Sequence, residues 1–276
     1  MTQLANLADA VSFEHAKDKH ILTEQEVLKV MLNVARQSNQ SWGSLDKEDG
    51  YNCLTCRNKG EIYKVFHTPD DACYSYYYMS VVPCKCMEKR QGYQRTRMSG
   101  LPEGYTFDTF RTDEDWQRSM RDMCEQYYNE RAWKDGKWLY VGGGIGTGKT
   151  HIVSALAREL VYGQNVVYMN WVRDSRELKA VVNDNLDYSA RLYRLINCDV
   201  LFIDDFFKSG YITDADKRLA YDILNDRYNN HKATLFTSEM FLDEIPDEAL
   251  SGRIYERAKD YIIEIARDQT KDQRRL

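Results

Sequence analysis

This 276-residue sequence predicts an α/β fold with a mainly parallel sheet, preceded by a small helical segment that carries paired cysteines. Three observations predict it. In the second half of the chain, short apolar runs that read as buried strands alternate with stretches patterned as helices. One strand-to-helix junction reads Gly143-Gly144-Ile145-Gly146-Thr147-Gly148-Lys149-Thr150, the G-x-x-x-x-G-K-[ST] pattern whose backbone cradles phosphates. Upstream of it, four of the seven cysteines fall into two tight pairs.

Composition narrows the function classes. Hydrophobic residues make up 43% and the net charge is −5, the profile of a soluble globular protein. No strongly basic tail is present, so any contact with nucleic acid is a local patch. No apolar run approaches the length of a membrane span and no signal-peptide core opens the chain, so no membrane role and a cytoplasmic location are expected. In a reducing compartment, an odd number of cysteines with tight pairing suits a metal site better than a disulfide framework. There is no internal repeat and no low-complexity segment.

In chain order, Thr23-Glu24-Gln25-Glu26 is a capping box followed by Val27, Leu28, Met31, Val34 and Ala35 at helical spacing. A helix over 23–38 is predicted, packed on its own domain or offered to a partner. Cys53 and Cys56 form one knuckle and Cys84 and Cys86 the other, with Ile62–Phe66 and Tyr74–Val82 reading as two strands of a zinc-ribbon-like hairpin between them. Four thiolates satisfy the tetrahedral preference of Zn²⁺ and leave no open position for water, so the expected metal is structural. The second knuckle is shorter than C-x-x-C, and His67 and Cys73 are available as substitute ligands; four buried free cysteines are the alternative. Residues 85–97 carry Lys85, Lys89, Arg90, Arg95 and Arg97, either a solvated helix face or a contact for phosphates or a partner. Gly100-Leu101-Pro102 breaks the pattern and divides an N-terminal region, 1–99 with its metal module at about 50–90, from a domain at 100–276.

The second region reads as helix over 114–133, then the strand Trp138–Val141 that leads into the P-loop. Glycines let the loop's N–H groups turn inward toward phosphate oxygens, and the following helix, with Ile152, Leu156 and Leu160 on one face, adds its positive end. Lys149 is expected to reach the β- and γ-phosphates of ATP and the Thr150 hydroxyl to bind Mg²⁺; His151 closes the nucleotide-binding stretch. A strand at Val166–Asn170 and a helix over 173–195 follow, with Arg173, Arg176 and Lys179 near the helix start. Val200–Asp205 is an apolar strand ending in acids, the Walker B pattern: Asp204 for Mg²⁺ and Asp205 for the attacking water, or else a helix cap. A helix over 214–230 and the strand Thr234–Ser238 complete an arrangement whose ligands bind at the strands' carboxyl ends, which places the polar residues at the end of this last strand near the γ-phosphate. Arg253 and Arg257 lie one helical turn apart, and Arg274 and Arg275 nearly close the sequence.

From about residue 50 onward this set resembles the DnaC/DnaI-type replicative helicase loaders, AAA+ ATPases with many phage-encoded members. The residues that carry the resemblance are the Cys53, Cys56, Cys84, Cys86 module, the Gly-Leu-Pro linker, the P-loop, Asp204-Asp205, the Thr237-Ser238 strand end and the helix with Arg253 and Arg257. The resemblance implies a zinc-containing N-terminal region that engages a hexameric DNA helicase. It further implies an AAA+ domain that binds ATP and single-stranded DNA and self-associates, with Arg173, Arg176 and Lys179 where the DNA-contacting helix lies. By motif match Arg257 is the arginine finger, Arg274 the sensor-2 arginine and Ser238 the sensor-1 residue, although Glu239 follows Ser238 where the family often has Asn. The Asp-Asp pair replaces the commoner Asp-Glu, and the shorter carboxylate suits a slow switch. IstB-like transposition helpers share the AAA+ core but as a group lack the cysteine module. A third alternative is a DNA-binding adaptor that keeps ATP as a structural ligand.

Overall fold

The computed structural model describes residues 23–68, 76–208 and 211–273. The chain divides into two compact units, with the boundary between Met87 and Glu88.

In the first unit, helix α1 (Glu24–Gln40) starts at the predicted capping box, the Thr23 hydroxyl accepting from the Glu26 N–H and the Glu26 carboxylate accepting from the Thr23 N–H. It runs slightly past its predicted end. Ala35 is buried while Val30, Leu32 and Val34 are exposed, so only part of the apolar face is used within the unit. The short helix α2 (Leu45–Asp49) ends at Gly50, whose φ of 73° makes it a left-handed C-cap. Strands β1 (Glu61–His67) and β2 (Tyr77–Pro83) pair antiparallel from Glu61↔Pro83 to His67↔Tyr77. The Asn39 side chain fixes α1 to this ribbon, donating to Tyr63 O at 2.9 Å and accepting from Tyr63 N at 2.9 Å.

Helix α3 (Cys86–Ser99) crosses the boundary, and its C-terminal end stops at Gly100, φ 76°. Its basic residues are partly absorbed by packing, with Arg90 buried and Arg95 donating to Tyr162 O at 3.0 Å. Helix α4 (Asp115–Asn129) leads through a 3-10 turn at Ala132–Asp135 into strand β3 (Leu139–Gly143). The rest alternates helix and strand: α5 (Lys149–Leu160), β4 (Val166–Asn170), α6 (Trp171–Ala180), α7 (Asn185–Asn197), β5 (Val200–Asp204), α8 (Asp214–Asn229), β6 (Ala233–Thr237), α9 (Glu248–Ala258) and β7 (Ile262–Ile265). The five strands form one all-parallel sheet in the order β4-β5-β6-β3-β7.

Side chains alternate along each strand, so the sheet has two buried faces. Leu139, Val141, Val200, Phe202 and Leu235 pack against α4 and α5, whereas Tyr140, Leu201, Ile203 and Phe236 pack against α6 to α9. Two details depart from the sequence reading. The helix predicted over 173–195 is two helices, because the Asp184 carboxylate caps a new start by accepting from Leu186 N and Asp187 N. Strand β7 was not anticipated; Ile262–Ile265 is too short to show a period, and its pairing with β3 decides its state. Among the described residues, no helix is long and apolar enough to cross a membrane.

Candidate nucleotide site and cysteine cluster

The P-loop leaves strand β3, which lies between β6 and β7, at Gly143, φ 97°, where an added Cβ would lie 2.0 Å from Ile265 O. Only glycine fits so close to β7. Gly144 N–H donates to Ile265 O at 2.9 Å, and Gly148, φ 83°, opens α5. Lys149 is buried, and that burial draws its ammonium down to about 8; it donates to Gly143 O at 2.9 Å and to Gly144 O.

The carboxyl ends of three strands and the first turn of α5 converge on Asp204, which is 3% exposed. Its Oδ1 accepts from Thr150 Oγ1 at 2.8 Å and from Thr237 Oγ1 at 2.5 Å, and its Oδ2 from the Tyr168 hydroxyl at 2.9 Å. The next residues make a strained turn, Asp205 and Phe207 having φ of 56° and 55° without being glycine. Thr237 holds this turn, its Oγ1 accepting from Asp205 N at 3.0 Å and its carbonyl from Phe206 N at 2.8 Å. Burial, then the charge of Asp204, pushes the Asp205 carboxyl above its usual range. The Lys208 ammonium lies 3.2 Å from Asp205 and 2.8 Å from Glu239. Lys149, Thr150, Asp205, Lys208, Glu239 and Gln273 lie around a cleft of 210 Å³ beside the P-loop. His151 stands at its edge, its ring against Tyr105 at 4.8 Å and its Nε2 3.0 Å from Thr106 O; burial keeps it below the ordinary histidine value.

The structure thus brings Gly143, Gly144, Ile145, Gly146, Thr147, Gly148, Lys149, Thr150, His151, Asp204 and Asp205 to one end of the sheet. Ser238 is adjacent but buried, its hydroxyl donating to Phe206 O at 2.8 Å and accepting from Met240 N at 3.0 Å. The hydroxyl that meets the acids is that of Thr237. Arg257 lies toward the opposite end: its carbonyl accepts from Trp138 N just before β3, and its guanidinium donates to Tyr228 O at 2.8 Å and sits 4.7 Å over the Tyr228 ring. Arg274 lies outside the described residues. Of the three basic residues along α6, Arg173 pairs with Asp174 at 2.6 Å and Lys179, in the last turn, with Asp216 at 2.5 Å, while Arg176 is exposed.

In the first unit, Cys53, Cys56, Cys84 and Cys86 are all buried with their Sγ atoms within 4.8 Å of one another. The Cys53–Cys84 and Cys56–Cys86 sulfurs are 3.9 Å and 3.5 Å apart. Thiolates about 2.3 Å from one tetrahedral Zn²⁺ stand about 3.8 Å from each other, so these two separations are close to those such an ion needs and the four-sulfur set suits it. Non-glycine turns at Arg57 and Asn58, φ 50° and 63°, shape the first knuckle, and Asn58 Oδ1 accepts from Cys53 N at 2.7 Å. Burial pushes the Cys84 thiol up. At Cys53 the same burial is outweighed by hydrogen bonds from the Cys56 N–H, the Cys86 thiol and the Thr55 N–H, and the thiol falls to about 6. His67 pairs with Tyr77 at the far end of the ribbon, six residues or about 20 Å from the Glu61 end that adjoins the cluster, and Cys73 lies outside the described residues.

The sequence reading did not single out Tyr168, Lys208 or Gln273, and it placed Thr237 only among the polar strand-end residues near the γ-phosphate. Tyr168 alone had a readable signal, a polar-tipped ring near the carboxyl end of a strand next to Walker B.

The chain matches the profile of the family described as IstB-like ATP binding protein over residues 84–261. It is 32% identical over 209 residues to the uncharacterized protein YqaM of Bacillus subtilis, covering 70% of this chain and 66% of that one. It is also 32% identical over 230 residues to the phage-like element PBSX protein XkdC of the same organism, covering 77% of this chain and 82% of that one. Among solved structures, AMPPCP-bound DnaA from Aquifex aeolicus superposes with a TM-score of 0.52 at 18% identity, covering 63% of this chain and 53% of that one, a likeness of fold.

Proposed function

Because the chain belongs to the family of IstB-like ATP-binding proteins, we propose that it is a Mg²⁺-dependent AAA+ ATPase that loads a replicative hexameric DNA helicase onto single-stranded DNA in the cytoplasm. The contact that carries the ATPase part is Thr150 Oγ1 to Asp204 Oδ1 at 2.8 Å, a hydroxyl and a carboxylate side by side where a phosphate-bound Mg²⁺ takes both. The P-loop N–H groups and Lys149 hold the phosphates, and Asp205 accepts the proton of the attacking water. The short Asp205 side chain suits slow, switch-like hydrolysis.

The region up to about residue 99 is the helicase-binding part, with a structural Zn²⁺ on Cys53, Cys56, Cys84 and Cys86; residues 100–276 form the ATPase. Support for the metal is the closeness of the four sulfurs to the spacing of a tetrahedral site. Arg257 serves as a finger toward the neighbouring subunit's nucleotide, Arg274 as the sensor-2 arginine, and Ser238 marks the sensor-1 region. The family match begins at residue 84, which leaves Cys53 and Cys56 outside it. That separate cysteine unit favours a loader over the second reading, an IstB-like transposition helper.

The test is capture of host proteins on the tagged full-length chain, with and without ATP. Recovery of a hexameric helicase by the wild type, lost in Cys53→Ser while nucleotide binding persists, is the expected result. Absence of helicase under both conditions contradicts the loader, and recovery of a transposase in its place favours the transposition helper.

A further inference from the structure

Lys208 has no part in the scheme above, yet it lines the same cleft as Lys149 and Thr150. Its ammonium lies 3.2 Å and 3.4 Å from the two Asp205 oxygens and 2.8 Å from Glu239 Oε1. One cation thus serves two carboxylates, one of them the residue assigned to activate water. A carboxylate with both oxygens held by an ammonium is a poor proton acceptor.

The backbone that presents Lys208 is over-determined. Its N–H donates to Asp205 O at 3.0 Å, and Phe206 and Phe207 are buried with their rings 5.1 Å and 5.2 Å from Trp171. Left-handed φ values at Asp205 and Phe207 are sustained by this packing, and together they aim two oppositely charged side chains into the cleft. The lysine stem is long and flexible, so its head can change partners while the turn stays fixed.

We propose that Lys208 is a second phosphate-binding cation of the cleft, one that recognises the γ-phosphate of ATP and, in moving to it, releases Asp205 to act on water. This rests on the P-loop reading. Glu239 keeps the ammonium at that wall of the cleft in either position. In the step that follows, the water oxygen bonds to the γ-phosphorus while the bond to the β,γ-bridging oxygen breaks. The electron pair leaves with ADP and the water proton passes to an Asp205 oxygen. ADP lacks the γ-group, so Lys208 discriminates ATP from ADP.

The test is calorimetric titration of the full-length chain with Mg²⁺–ADP and with a β,γ-methylene ATP analogue, for wild type, Lys208→Met, Lys208→Arg and Lys149→Ala. Lys208→Met should lose about tenfold or more in affinity for the analogue, the size of a charge-assisted hydrogen bond, and keep its affinity for ADP. Lys208→Arg should retain most of the discrimination. Lys208→Met that binds the analogue like wild type overturns the proposal, as does an equal loss for both nucleotides. Should the wild type bind neither nucleotide, the P-loop reading falls and Lys208 falls with it. If the wild type binds both and only Lys149→Ala is impaired, the P-loop reading stands and the Lys208 role alone is overturned.

Discussion

Arg227 shows how a single side chain can organise a region without touching the site. It is completely buried, with no carboxylate partner among the described residues, and its guanidinium donates to Leu195 O, Ile196 O and Cys198 O at 2.8 to 3.0 Å, to Thr234 Oγ1 at 3.0 Å and to Ala233 O. The last carbonyls of α7 and the start of β6 are thereby satisfied by one cation at a helix C-terminus, where the backbone dipole favours positive charge. Arg227→Met should cost about 3 kcal/mol or more, since several buried carbonyls lose their donor at once. Urea denaturation checks this; a loss well under 1 kcal/mol would mean water replaces the guanidinium. In the sequence, Arg227 reads as one more charge on an amphipathic helix. Nothing in its own helix marks it as buried, because its partners belong to α7 and β6 and the turn after α7. The P-loop and Asp204 were legible for the opposite reason: their chemistry is written in adjacent residues. Thr237 was read as a polar strand end near the γ-phosphate, but its contact with Asp204 depends on the register of β5 against β6.

At the scale of elements, α6 and α8 are tied by the Lys179–Asp216 pair at 2.5 Å, and Asp216 also closes the Thr213 capping box at the start of α8. Burial opposes the Asp216 charge, but the hydrogen bonds from Lys179 and Thr213 prevail and hold its carboxyl below the usual value. A carboxylate held low in the folded state adds stability above its unfolded value of about 3.9 and loses it as pH falls through the folded value. Asp216→Asn should therefore destabilise the protein by about 1 to 2 kcal/mol near neutral pH, with the gap from wild type closing below about pH 4. Chemical denaturation at two pH values measures it, and a gap that persists at low pH would assign the loss to shape instead of charge. Lys179 was read as a DNA contact; its use in this pair is invisible in sequence because Asp216 lies on a different helix.

The ribbon behaves differently. Its hydrophobic cluster consists of its four cysteines with Tyr51 and Ile62 packed against them, so the proposed metal would supply much of its folding energy. About one Zn²⁺ per chain is expected by elemental analysis, and Cys53→Ser or Cys84→Ser should unfold the first unit while nucleotide binding remains. Protein purified without chelator and found free of zinc would remove the metal from the site.

At the scale of the whole molecule, the parallel sheet puts the P-loop and Asp204 at its carboxyl end and Arg257 at the amino end of β3. Strand β3 is five residues long, about 16 Å, so Arg257 is too far to serve its own P-loop. Its guanidinium is held by Tyr228 and His231. A role in catalysis therefore requires a second subunit. Arg257→Ala and Lys149→Ala should each be inactive alone and partly active when mixed, because one retains an intact P-loop and the other an intact finger. No recovery on mixing, with a rate per chain independent of concentration, would remove Arg257 from the reaction.

The most direct measurement is paired: Mg²⁺–ATP binding and hydrolysis by Lys149→Ala and Asp205→Asn, each against wild type. Lys149→Ala removes the charge that holds the phosphates, so binding should be lost or severely weakened. Asp205→Asn removes only the group that acts on water, so binding should persist while turnover stops. Wild-type binding and hydrolysis in both variants would contradict the assignment of this sheet end as the ATP site.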